Sequence, residues 1–290
     1  MTRRSLIFSP AALAAKTKAY GLAYSFKGFP QWPLEKSFAL CAELGYNGVE
    51  LFVGFKQDHE PGKLDVPALR RLVQKHRLPV VTLMEDLRLT GDDQPIHLQH
   101  LEASLKLARE IDPKNPPLLE TVVGGRPGEW DKLKPLFLER LKAWARLADK
   151  YKVLVTIKPH IGSALHLPEQ GAELCRQVAS RYLQLNYDFS HFQLQGLDLE
   201  QSIRAELPYI GMVHIKDSIV TDSSTRPPKF RFALPGEGNI DYSAYVATLR
   251  KLNYRGPVVV EVSTQVIQRP GFDPESAARF VATKVLPSFR

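Results

Sequence analysis

LQLNYDFSHF, Leu183 to Phe192, decides how the rest of the chain is read. Its first residues suit a β-strand, Asp188 stands where that strand ends, and His191 follows three positions later. A carboxylate and an imidazole therefore meet where a strand gives way to a loop. Three other apolar runs end in the same way. VLVTIKPH reaches Lys158 and His160, GMVHIKD reaches His214, Lys216 and Asp217, and VVVEVS reaches Glu261. Packing alone would choose Val or Ile at such positions. Four strand ends carrying polar, metal-capable side chains read as one site built at one mouth of the fold.

Outward from that stretch the chain alternates between two periods. Strands are expected at Gly21 to Phe26, Gly48 to Val53, Pro79 to Glu85, Pro117 to Val123, Val153 to Lys158, Tyr182 to Asp188, Gly211 to Lys216 and Pro257 to Ser263. Between and after them, helical patterns cover Pro33 to Tyr46, Asp65 to Leu78, a stretch within His97 to Asp112, Glu129 to Tyr151, Pro168 to Ser180, Leu197 to Leu207, Asp241 to Tyr254 and Pro274 to Leu286. Asp65 is placed to cap its helix, with Pro67 in the first turn. Eight near-continuous apolar strands, each followed by a helix, predict a single-domain (β/α)8 TIM barrel over residues 20–290. A doubly wound open sheet would want a glycine-rich phosphate turn after an early strand, and no GxGxxG follows the first two. The polar segment from about Ser218 to Ile240 is too long for a bare connection and is expected to be a lid or binding loop.

Apolar residues make up 44% of the chain and charged ones 24%, an ordinary globular balance. The formal net charge of +8 would suit an anionic partner, but the basic residues form no run or aromatic-interleaved strip, which argues against nucleic acid. Cys41 and Cys175 fall at core-like helix positions and read as buried hydrophobes. No apolar run approaches the ~18 residues of a membrane span. Residues 1–19 form an N-terminal arm in which TRRSLIFSPAALAA, Thr2 to Ala15, is similar to a shortened twin-arginine export signal, broken by Pro10. A cytoplasmic location is expected, with export through that segment as the alternative. A homo-oligomer is left open.

On the rim of such a barrel Asp188, His214 and Glu261 come from consecutive strands. One imidazole and two carboxylates form a mixed N/O set suited to Mn²⁺, Mg²⁺, Co²⁺ or Zn²⁺ with positions left for substrate. Two buried carboxylates repel each other, so something positive belongs there: a metal ion, Lys158, or both. Glu50 is expected to bind a substrate hydroxyl or to pair with a neighbouring base. Lys216 and Asp217 are expected to contact substrate or to pair with each other. Glu237, between Gly236 and Gly238, lies in a loop expected over the site, where Arg231 would reach a phosphate or carboxylate. Glu120, mid-strand, reads as structural.

As an ordered set, DFSH (Asp188 to His191), VHIKD (Val213 to Asp217), LPGEGNIDY (Leu234 to Tyr242) and VVVEVS (Val258 to Ser263) resemble the xylose-isomerase-like sugar isomerase/epimerase superfamily. That group includes ketose 3-epimerases, hydroxypyruvate isomerase, inosose dehydratase and, more distantly, endonuclease IV. The resemblance implies one divalent metal held by Glu, Asp, His and Glu on strands five to eight, with the two glutamates moving a proton. Asp188, His214 and Glu261 match three of these ligands, and His191 matches a substrate-contacting histidine. Strand five departs: Lys158-Pro159-His160 stands where Glu-Pro is usual. Three arrangements follow. Lys158 is an acid/base group beside a three-ligand metal, or His160 supplies a further ligand, or Lys158 replaces the metal by pairing with Asp188 and Glu261.

The function expected from this set is metal-dependent isomerisation or epimerisation of a sugar or keto-sugar. Lys158, Glu261 and His191 would be catalytic, and His160 and His191 would lie against the substrate. The proton α to a carbonyl is removed and an enediolate is formed. The runner-up is a lyase, either an inosose-type dehydratase or a 3-keto-glycoside β-eliminase. A barrel that binds sugar without turning it over is a third reading. A multi-zinc repair nuclease would need more His and Glu ligands than this rim carries.

Overall fold

The computed structural model describes residues 21–54 and 59–290. The expected arm at 1–19 lies outside the described residues. Ten strands follow in chain order: β1 (Leu22–Ser25), β2 (Gly48–Phe52), β3 (Val80–Met84), β4 (Leu118–Val122), β5 (Val155–Lys158), β6 (Leu183–Tyr187), β7 (Ile210–Ile215), β8 (Asp217–Asp222), β9 (Lys229–Ala233) and β10 (Val258–Val260). Eight of them close a parallel barrel in the order β1-β10-β7-β6-β5-β4-β3-β2, while β8 and β9 form a separate antiparallel pair. The helices are α1 (Leu34–Leu44), α2 (Val66–His76), α3 (Gln94–Ile111), α4 (Trp130–Tyr151), α5 (Pro168–Val178), α6 (Phe189–Gln193), α7 (Leu199–Glu206), α8 (Tyr242–Lys251), α9 (Thr264–Ile267) and α10 (Pro274–Lys284).

Local chemistry starts these helices where the sequence places them. Asp65, Asp198, Asp241 and Asp273 each accept a backbone N–H from the first turn of α2, α7, α8 and α10, satisfying donors that the helix leaves open. Closure of the ring is set by register. Tyr24 lies beside Val260 on one flank, Val258 beside Val213 and Leu119 beside Val155 farther round. Alternation along each strand then sorts side chains. Leu22, Tyr24, Leu51, Leu83, Leu119, Ile157, Leu185, Tyr187, Val213 and Val260 join the main core between sheet and helices. The intervening residues point into the lumen, whose floor is a small apolar plug of Ala23, Leu118, Met212 and Val259. Helix α5 reaches β6 closely because Gly171 has no side chain: a Cβ there would lie 3.1 Å from Leu185 Cδ1.

Two features differ from the sequence expectation. The segment 218–240 is not an open loop but carries the β8–β9 hairpin, in which Phe230 and Phe232 alternate with Lys229 and Arg231. Directly after Asp188 the chain turns into α6, with Asp188 at its N-cap. Cys41 and Cys175 are free and buried, as expected. Among the described residues no helix is long and apolar enough to cross a membrane.

Candidate active site

The lumen above its apolar floor is polar in two tiers. The lower tier holds Glu50 (β2), Thr82 (β3), Glu120 (β4), Thr156 (β5), Asn186 (β6) and His214 (β7), all buried. The upper tier, at the carboxyl ends of the strands, holds Lys158, Asp188, Lys216 and Glu261. Strand alternation links the tiers, because Glu120, Asn186 and His214 stand two residues before Val122, Asp188 and Lys216 on the same inward face.

Two ammonium groups organise the upper tier. Lys158 Nζ donates to Glu261 Oε2 at 2.6 Å, lies 2.7 Å from His214 Nδ1 and 3.7 Å from Asp188 Oδ2. Lys216 Nζ stands 2.9 Å from both Glu261 Oε2 and Asp188 Oδ2, and 3.0 Å from His191 Nε2. Asp188 is held from behind, its Oδ1 accepting the Ser190 N–H at 3.1 Å and the Ser190 hydroxyl at 2.7 Å. In the lower tier Asn186 donates to Glu120 Oε2 at 3.0 Å, and His214 Nε2 meets Glu50 Oε2 at 2.9 Å.

These contacts set the protonation of the cluster. Burial disfavours charge on Lys158, but the carboxyl groups of Glu261, Glu120 and Asp188 outweigh it and raise its pKa, so the side chain is an ammonium. Burial likewise opposes charge on Glu261, yet Lys158 and Lys216 hold its carboxylate well below the usual range. Burial raises the pKa of Glu120 against the opposing pull of Lys158 and His214. His191 and His160 are kept neutral by burial, aided by Lys216, His160 falling to about 3. For His214, burial and Lys158 oppose a charge while Glu50 and Glu120 favour it, lifting it to about 9. The contacts favour its neutral form instead, because Lys158 Nζ and Asn186 Nδ2 (3.1 Å) both face Nδ1. With Nδ1 accepting, Nε2–H donates to Glu50, and a second proton would confront both donors.

The donor set expected for a metal, Asp188, His214 and Glu261, is thus brought together, but around the Lys158 ammonium. A divalent ion on the same atoms would have to sit where Nζ sits, beside a second ammonium, so the set as arranged fits an ammonium rather than a metal. Among the described residues, a different trio offers ligand atoms all within 4.8 Å of one another: Glu50, Glu120 and His214, one tier lower. This buried acidic and imidazole cluster is where the structure could hold a metal ion. His160 does not approach it; its Nδ1 accepts the Gly162 N–H at 3.0 Å and its ring lies tilted against His191, 4.1 Å between centroids.

The hairpin roofs the upper tier. The Phe232 ring lies 4.7 Å from Lys216 Nζ and edge-on to His191 at 5.4 Å. Arg231, on the opposite face of β9, is exposed and directed away from the mouth, so the expected reach to a substrate anion is not made. Glu237 is also outside the lumen. It pairs with Arg269 at 2.8 Å, and Arg269 donates to the Phe232 carbonyl at 3.0 Å, which pins the roof. Lys216 and Asp217 do not pair: Lys216 enters the lumen while Asp217 accepts the Gly236 N–H at 2.7 Å and shapes the LPGEG turn. Gly238 has to be glycine-small there, since a Cβ would fall 2.8 Å from Asp217 Cγ. Sequence reading missed Asn186, Phe232 and the inward role of Glu120. For the first and last, the signal was even spacing from Asp188 and from the inward end of β4. A cleft of about 1700 Å³ at the other end of the barrel is lined by Arg70, Arg77 and Arg109, without an acid/base cluster.

Comparison with known proteins agrees with this architecture. Inosose dehydratase from Bacillus velezensis is 27% identical over 143 residues, about half of each chain (46% of this one, 47% of the relative). L-ribulose-5-phosphate 3-epimerase from Salmonella heidelberg is 22% identical over 262 residues, 86% of this chain and 89% of that protein. The apo structure of 3-keto-D-glucoside 4-epimerase from E. coli superposes with a TM-score of 0.70 at 19% identity, covering 92% of this chain and 99% of that one. The IOLI protein with a bound zinc atom gives 0.73 at 18%, covering 93% and 98%. These structural likenesses show the fold. The sequence profile of the xylose isomerase-like TIM barrel matches residues 38–282, most of the chain, and the protein belongs to that family.

Proposed function

We propose that the protein is a sugar isomerase or epimerase acting on a keto-sugar or related carbonyl compound through an enediolate. The observation that carries this reading is the convergence of Glu261 with two ammonium groups, Lys158 and Lys216, at the barrel mouth. Chemistry next to a carbonyl needs a base for the α-proton and positive charge where the enediolate oxygen develops. Glu261 is the carboxylate of the upper tier most open to the mouth, its side chain 10% exposed against 0% for Asp188. It is a weak base while both lysines bind it. A substrate oxygen that draws hydrogen bonds from Lys158 and Lys216 releases Glu261, raises its basicity, and is itself stabilised as negative charge builds. His191, neutral and held by Lys216, is placed to orient a hydroxyl. The relatives named as an epimerase and a dehydratase support carbon-acid chemistry on carbohydrates.

One observation favours a second reading. Inverting a stereocentre calls for a base on each face, but the neighbour that β5 places against Glu261 is an ammonium, hydrogen-bonded to it at 2.6 Å. One base and one acid suit a same-face isomerisation, or an elimination in which Lys158 protonates the departing group. Incubation in D₂O with ketoses, inososes and 3-keto-glycosides separates these outcomes. Deuterium entering α to the carbonyl, and lost in Glu261→Gln, is the expected result. Loss of water or aglycone without an epimer selects the lyase. Binding without exchange across the whole panel sinks the enzymatic reading.

A further inference from the structure

Lys158 Nζ occupies the centre of the three groups that would otherwise ligate a cation. It touches Glu261 and His214 at 2.6 and 2.7 Å and lies 3.7 Å from Asp188. Lys216 completes the arrangement with 2.9 Å contacts to both carboxylates. All of these side chains are buried. The carboxylates therefore keep the cationic partner they need while the coordination position is filled by nitrogen.

We infer that Lys158 and Lys216 together take the place of a divalent metal at Asp188, His214 and Glu261, so that this barrel mouth works without a metal ion. The two ammonium groups supply the hydrogen-bond donors and positive charge for a substrate oxyanion. That last role rests on the reaction proposed above, whereas the filling of the coordination position does not.

Metal content and thermal stability test it without any turnover assay. Wild-type protein purified without chelator is expected to hold no stoichiometric divalent metal, and added Mn²⁺, Co²⁺ or Zn²⁺ should move Tm by less than about 1 °C. Lys158→Glu adds a third carboxylate to the set, as a fourth ligand. It should take up one equivalent of metal and gain roughly 5 °C or more on Mn²⁺ addition, an effect removed by Asp188→Asn. Should Lys158→Glu fail to fold, the metal content and melting temperature of the wild type still decide. One equivalent of metal in the wild type, lost in Asp188→Asn, overturns the inference. Uptake lost in Glu120→Gln but kept in Asp188→Asn places the ion in the lower tier and leaves the inference standing. If exchange activity is found, it should survive EDTA; abolition by EDTA with recovery on added metal overturns the inference. Absence of any activity would count against the reaction alone.

Discussion

The two faces of one barrel wall are equally buried and chemically opposite. On β6, Leu183, Leu185 and Tyr187 face the helices, while Asn186 and, one step on, Asp188 face the lumen; each of the five is at most 1% exposed. The outer face is held by close packing, the inner face by a chain of ion pairs and hydrogen bonds. Depth alone therefore does not dictate apolarity. A buried charge is tolerated where a partner of opposite sign is fixed by the same scaffold, and such an arrangement is hard to explain except as a site.

The sharpest way to break the contrast is on the inner face. Lys158→Met removes one ammonium from a place where Glu261 and Asp188 remain buried, so the expected loss of stability is about 3–5 kcal/mol. Glu261→Gln in the same chain should recover part of it, because the uncompensated charge disappears. Urea unfolding of the single and double variants checks this. Additive losses would mean that the pair is not coupled as its 2.6 Å contact requires.

On the outer face the penalty comes from volume instead of charge. Leu185 is fully buried and packs where α5 approaches at Gly171. Leu185→Ala should cost about 3 kcal/mol through the cavity left behind. Activity per folded molecule should be unchanged below the melting range, since no inward side chain moves. A drop in kcat of the folded fraction would show that the two faces are not independent.

The outer face was the more legible of the two in the sequence. Apolar periodicity, helped at α2 by the Asp65 cap, placed all eight barrel strands and the main helices between them within a few residues, because these signals are local. The strand ends also gave Lys158, Asp188, His214, Lys216 and Glu261 as one cluster. What the residues could not give was the distances within it, and so whether Lys158 stands beside a cation or in its position. Asn186 escaped notice and Glu120 was read as structural because a polar residue inside an apolar strand acquires meaning only once the inward parity is known. The β8–β9 hairpin was hidden by its polar, proline-containing turn, although FRF at Phe230 to Phe232 carries the alternation of a strand. Arg231 was assigned to the mouth for its charge, but that same alternation turns it outward while Phe232 turns in.

A smaller effect tests how the outer face treats an acid with no cation beside it among the described residues. Glu85 follows β3, points toward α3, and accepts the Ser104 hydroxyl at 2.6 Å, with 5% of its surface exposed. Burial raises its pKa to about 7 from 4.5, and the Ser104 hydrogen bond offsets this only in part. The folded protein therefore holds a proton that the unfolded chain releases above about pH 4.5. The stability contributed by this group is fully present below that pH and is lost as pH rises through about 7. At roughly 1.4 kcal/mol per unit, the change between pH 4.5 and 8 is on the order of 2–3 kcal/mol. Glu85→Gln keeps the shape and hydrogen-bonding capacity without the titration, so its stability should fall less over the same range. Denaturation of both proteins at several pH values isolates the difference from the titrations of the lumen, which the substitution leaves in place. Parallel curves would mean that Glu85 is ionised in the folded state, and that the outer face tolerates a buried carboxylate without the two lysines that the inner face uses.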